Sequence, residues 1–178
     1  LYFGFEATDP RPGGIAVHTK RRDGGVSGDD TVALVIDSYG DRRTGFFFQT
    51  NAVGARIDGL IATVDGADRD WDGIWDVRTS IHEGGWTAEF VIPVQTLTFT
   101  PGLDSWGVNF ERYIARDRMR IEATSTGVIL ESWGPEGAVI RRLTAVASVS
   151  RTEIELKAKR FAQGDIRLSI IDYAATAA

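Results

Sequence analysis

The chain has 178 residues, 43% hydrophobic and 25% charged, which suits one globular domain with a real core and excludes a disordered tail. A formal net charge of −5 argues against a nucleic-acid partner, because phosphate binding needs a basic face. Cysteine is absent, so disulfides, thiolate metal sites and cysteine nucleophiles are excluded. No apolar run approaches the ~20 residues that a membrane-spanning helix requires.

In chain order, the dominant hydrophobic period is two, the signature of strands. The opening stretch "LYFGFEATD" puts Leu1, Phe3, Phe5 and Ala7 on one face. It begins inside a strand without an initiator Met, so a fragment or processed chain is expected. "TVALVIDSY" (31–39) and "TGFFFQTN" (44–51) flank "GDRR", which predicts a hairpin. Asp37 with Arg42 and Arg43 reads as an ion pair at its end. "ARIDGLIA" (55–62) is a further strand.

An Asp-rich loop follows, "DGADRDWDGIWD" (65–76), with five aspartates and two tryptophans. Asp68, Asp70, Asp72 and Gly73 have the spacing of the first half of an EF-hand calcium loop. The twelfth position is Thr79 rather than Glu, and no helix flanks the loop, so a full EF-hand is rejected. Two readings remain. Asp68, Asp70 and Asp72 hold a metal in another geometry, or the stretch is a solvated turn with local Asx bonds. The turn is favoured.

"WDVRTSIH" (75–82) and "WTAEFVIP" (86–93) read as a second hairpin, and "VQTLTF" (94–99) as one helical turn. "SWGVNFERYIA" (105–115), "MRIEATSTGVILESW" (119–133) and "AVIRRLTAVASV" (138–149) continue the strands. "TEIELKAKRF" (152–161) and "DIRLSIIDY" (165–173) are a closing hairpin or the start of a downstream unit. Short strands between Gly/Asp turns mean an all-β antiparallel sandwich or barrel.

Three stretches, "DDTVALVIDSYGDRRTGFFFQTNAVG", "DWDGIWDVRTSIHEGGWTAEFVIPVQTLTF" and "WGVNFERYIARD", resemble carbohydrate-binding module family 9. They are most similar to its version at the N-terminus of large bacterial envelope proteins with an uncharacterised C-terminal region. The resemblance spans roughly residues 1–145. It implies a jelly-roll-like β-sandwich on an exported protein, periplasmic, outer-membrane-associated or extracellular. It further implies a glycan ligand held between aromatic side chains, a place in carbohydrate catabolism, structural Ca²⁺, and a parent chain as partner. The family's first strands would precede Leu1. The expected division is therefore a sandwich over 1–149 and a separate segment over 150–178.

A sugar ring stacks its C–H faces on an indole and needs fixed polar partners for its hydroxyls. Trp86 is in phase with Ala88, Phe90 and Ile92, Trp106 with Val108 and Phe110, and Trp75 with Val77, so these three read as core. Trp71, mid-loop, and Trp133, in "ESWGPEG", are the candidate exposed platforms, with Asp72 and Asn109 as polar partners. Asp29 and Asp30, ahead of a strand, are open to metal, turn or ligand roles. Glu89, Asn109 and Glu111 alternate away from the inward set and line the opposite face. His18 and His82 form no recognisable triad, and no carboxylate pair stands out for glycoside hydrolysis. Non-catalytic sugar binding is the leading expectation. A structural or docking ectodomain comes second and part of a glycoside hydrolase third.

Overall fold

The computed structural model describes residues 1–63, 66–124, 127–133, 139–145, 153–156 and 166–169, with side chains over 1–62 and 67–122. Every regular element among them beyond two single 3₁₀ turns is a strand: β1 (Tyr2–Thr8), β2 (Thr31–Asp37), β3 (Gly45–Asn51), β4 (Arg56–Thr63), β5 (Gly66–Asp68), β6 (Asp76–His82), β7 (Gly85–Val91), β8 (Gly107–Ile114), β9 (Met119–Thr124), β10 (Gly127–Trp133), β11 (Val139–Ala145), β12 (Glu153–Leu156) and β13 (Ile166–Ser169). All pairings are antiparallel. The small sheet runs β1-β7-β6 and the large one β11-β10-β9-β8-β2-β3-β4-β5, while β12 pairs with β13. The chain is an all-β sandwich.

Alternation explains the layers. Phe5 and Ala7 of β1 and Trp86, Ala88 and Phe90 of β7 point inward from the small sheet. Val32, Leu34 and Ile36 of β2, Phe46 and Phe48 of β3, and Phe110 of β8 meet them from the large one. Ring contacts run within and between the layers: Phe5 lies 5.3 Å from Phe90 of its own sheet and 5.7 Å from Phe110 of the large one between centroids. Trp75 lies nearly parallel to Phe90 at 5.6 Å. Trp75 and Trp86 are buried and Trp106 is half-buried against Phe99, in line with their apolar phasing.

Several local features differ from the sequence reading. Asp37 makes no hairpin-end ion pair. Its carboxylate accepts the backbone N–H groups of Tyr39, Gly40 and Arg42 at 2.7–3.1 Å, and so builds the turn itself. The stretch 119–133 carries two antiparallel strands, β9 and β10, with Thr124 facing Gly127. The Asp-rich loop contains a short edge strand, β5. Gly59 allows it, since a Cβ there would sit 2.8 Å from the Asp68 carbonyl oxygen. The 94–99 segment does contain a single turn, a 3₁₀ turn at Val94–Thr96.

Candidate functional site: a polar cleft on the outer face of the large sheet

Cross-strand register fixes what the large sheet shows to the outside. Thr31 faces Tyr113, Ala33 faces Gln49 on one side and Glu111 on the other, and Gln49 faces Ile57. All are out of phase with the inward residues, so they share the outer face. The segment 23–28 stands over this face and leaves a cleft of about 500 Å³. Its polar side chains are Asp23, Ser27, Thr31, Gln49, Arg69, Glu111 and Tyr113, with Val26 and the buried Ile57 as apolar lining. Gln49 Nε2 donates to Thr31 Oγ1 at 3.2 Å, and Arg120 lies 3.6 Å from Glu111 and 4.0 Å from Glu122. The Arg69 guanidinium lies 5.4 Å above the Phe47 ring, a cation–π geometry on the same face.

The wall of the cleft is anchored by a buried amide. Asn51 Nδ2 donates to the Thr19 carbonyl at 2.7 Å and to Asp29 Oδ2 at 2.8 Å, while its Oδ1 accepts the N–H groups of Val53 and Ala55. Asp29 also bonds the His18 imidazole. Asp30 accepts the Ala16 N–H at 2.6 Å. Both aspartates are buried, and their described bonds are structural. Burial raises the Asp30 carboxyl above the usual aspartate range, against the pull of the Ala16 N–H and Arg112.

The Asp-rich loop meets this wall through Arg22. One guanidinium reaches both Asp58 oxygens at 3.0 Å, Asp72 at 2.8 Å and the Gly73 carbonyl at 3.1 Å, and lies 3.4 Å from Asp23. Asp58 is buried and also takes the Gly73 N–H at 2.5 Å. Burial still raises its carboxyl above the usual value, the Gly73 bond and Arg22 opposing.

Among the described residues, the carboxylates that converge within 4.8 Å of one another are Asp23, Asp58 and Asp72, not Asp68, Asp70 and Asp72. Asp68 Oδ1 instead accepts the Asp70 N–H at 3.0 Å, a local Asx bond. The calcium that the resemblance implies therefore does not fit the converging set. Its centre is taken by a guanidinium bonded to the oxygens a cation would need.

The other expected site residues separate. Trp71 is half-buried, with its ring 5.0 Å from Phe46 and 6.0 Å from Phe48, both inward residues, so it caps the core rather than standing free. Trp133 closes β10 opposite Val139, and its side chain lies outside the described residues. Asp72 is exposed and engaged with Arg22. Asn109 and Glu111 do share the outer face of β8, and Glu111 lines the cleft. Glu89 belongs to the small sheet, where it faces Gly4 and Arg78.

The cleft residues Gln49, Tyr113 and Arg69 are absent from the sequence expectations. The signal for the first two is the phase of their strands, opposite to Phe48 and Phe110. Arg69 carries no such signal, because only the fold brings it over Phe47.

No protein-family model matches the sequence, and none of the curated proteins does. Among solved structures, a crystal structure from Bacteroides uniformis ATCC 8492, described as a "putative carbohydrate-binding protein", is similar with a TM-score of 0.44 and 17% identity. The likeness covers 64% of this chain and 54% of that one, so the chain spans little more than half of its length.

Proposed function

We propose that this domain is a non-catalytic carbohydrate-binding module of an exported bacterial protein, and that the outer-face cleft holds the sugar. The carrying observation is the composition of the cleft. An amide, two carboxylates, a phenol, two aliphatic hydroxyls and a guanidinium surround about 500 Å³, with aliphatic and aromatic surface beside them. A sugar needs this mixture, with donors and acceptors at several heights and an apolar patch for its C–H face. The resemblance to carbohydrate-binding module family 9 supports the same ligand class. Loop ordering, the task calcium would have, falls to Arg22.

Affinity is modest on this reading, since water competes for every hydroxyl bond. The test is a glycan array followed by calorimetry on the purified chain, with Gln49→Ala and Tyr113→Ala as cleft variants. Binding that disappears in both variants, with unchanged circular dichroism, is the expected result. A folded chain that captures no glycan sinks the proposal and favours a docking ectodomain instead.

A further inference from the structure

We infer that the cleft selects an acidic glycan, a sugar bearing a carboxylate or sulfate group, and that Arg69 is the residue that selects it. The inference rests on the carbohydrate reading above and deepens it.

The charges around the cleft carry the argument. Its two acidic groups already have cations beside them. Asp23 lies 3.4 Å from Arg22, and Glu111 lies 3.6 Å from Arg120. Arg69 differs. Among the described residues its one interaction is with the Phe47 ring, and no described carboxylate lies within ion-pair distance. Its sequence neighbours do not supply one. Asp68 pairs with Leu60, which faces the inward residue Phe46, so register sends it to the other side of the sheet, and Asp70 is exposed in the turn. A chain of net charge −5 thus presents, among its described residues, a guanidinium without a carboxylate partner in the lining of a polar cleft.

Chemistry then narrows the ligand. A guanidinium presents a planar fork of donors that matches a carboxylate or sulfate with two parallel bonds, whereas a neutral hydroxyl uses only one of them. The Phe47 ring lies under the guanidinium carbon at 5.4 Å and favours this position of the side chain, which lowers the entropy lost on binding. Tyr113 and Gln49 lie on the same face to receive the rest of the ring and its hydroxyls.

The experiment is calorimetry of the purified chain with three oligosaccharides of equal length: oligogalacturonate, sulfated galactan and neutral galactan. Each is measured against wild type, Arg69→Gln and Arg69→Lys. At least one acidic ligand binds at least tenfold tighter than the neutral one, and which of the two does so identifies the anion. Arg69→Gln lowers the affinity for the acidic ligand at least tenfold and that for the neutral one by less, so the preference is lost, and Arg69→Lys restores part of it. Raising the salt concentration weakens the acidic complex and spares the neutral one.

Equal affinity for neutral and acidic ligands, unchanged in Arg69→Gln, overturns this inference and leaves carbohydrate binding standing. Failure of the wild type to bind any of the three, or any array glycan, removes the carbohydrate reading and this inference with it.

Discussion

Arg69 and Trp71, two residues apart, lie on opposite faces of β3. The Arg69 guanidinium covers Phe47 on the outer face, and the Trp71 ring packs on Phe46 and Phe48 on the inner one. The Asp-rich loop thus wraps the edge of the sheet, with its cation beside the cleft and its indole closing the core. The two residues predict opposite phenotypes. Trp71→Ala leaves a cavity against two phenylalanines and lowers stability by about 2–3 kcal/mol, less than a fully buried aromatic because the ring is half-buried. Trp71→Phe retains glycan affinity within about twofold. Urea unfolding and calorimetry check both values. Loss of binding in a fully stable Trp71→Phe variant would return the indole to the ligand site.

This pair shows where the sequence was legible and where it was not. Alternation alone placed Trp75 and Trp86 in the core and separated Glu111 from Phe110, because a strand sends successive side chains to opposite faces. It could not orient Trp71. A residue in a loop has no period, so its direction is set by the approach of a distant strand, here Phe46 and Phe48. The spacing of Asp68, Asp70 and Asp72 left a metal and a turn both open for a related reason. Convergence depends on what the fold inserts between carboxylates, and Arg22, which occupies the centre, lies 50 residues away from Asp72. Asp37 read as one half of an ion pair with Arg42 and Arg43. The nearby backbone N–H groups won, since exposed ion pairs are worth little.

Arg22 supplies the second prediction. Asp58 is buried, and removing its guanidinium partner leaves a carboxylate with little solvent and fewer bonds. Arg22→Gln should cost about 2–3 kcal/mol, below the range for fully buried pairs because Arg22 keeps 30% of its side-chain exposure. The double variant Arg22→Gln/Asp58→Asn should recover part of the loss, as the stranded charge is gone. Since the guanidinium already occupies the site, excess chelator should move the thermal midpoint of the wild type by less than about 1 °C, whereas one removed structural ion worth 1 kcal/mol would shift it by about 2–4 °C. A larger drop on chelation would show that a metal orders the fold elsewhere.

The third prediction concerns acid stability. Arg112 is buried, with its Nη1 donating to the Thr8 carbonyl at 3.0 Å, and burial lowers its guanidinium to about 10 while Asp9 and Asp30 hold it up. Burial also pushes Asp9 upward, but its 2.7 Å bond from Arg116 and the Arg11 N–H hold it below the usual aspartate value. Asp30 is shifted the other way, above that value, by burial.

The signs follow from linkage. The Asp9 contribution is present above the ordinary aspartate value of 3.8 and is lost as pH falls through its lower folded value. The Asp30 contribution is present below 3.8 and is lost as pH rises through its higher folded value. Asp9→Asn should therefore destabilise the protein most at neutral pH and flatten the fall of stability below pH 3.8. Asp30→Asn should lessen the decline of stability as pH rises from 3.8. Urea midpoints of both variants from pH 2.5 to 7 check the prediction. Parallel curves for wild type and Asp9→Asn would show that the acid transition comes from other carboxylates.

Asn51 links the core to the cleft and gives the last prediction. Its amide is fully buried and spends both ends, donating to Thr19 and Asp29 and accepting from Val53 and Ala55. Asn51→Asp keeps the volume and reverses the chemistry. The new carboxylate oxygen faces the Thr19 carbonyl and the Asp29 carboxylate, two acceptors that it cannot satisfy. A buried acceptor clash beside a like charge costs on the order of 2–4 kcal/mol. The strain falls on the strap from Thr19 to Asp29, whose middle, residues 23–28, forms the cleft wall. Glycan affinity should therefore drop at temperatures where circular dichroism still reports a folded sandwich, and hydrogen exchange should rise first in residues 19–29. Asn51→Ala, which removes the bonds without adding a charge, should show a smaller loss of both. If Asn51→Asp weakens folding and leaves the affinity of the folded fraction unchanged, the strap does not shape the ligand site, and the wall of the cleft is held by other bonds than this amide.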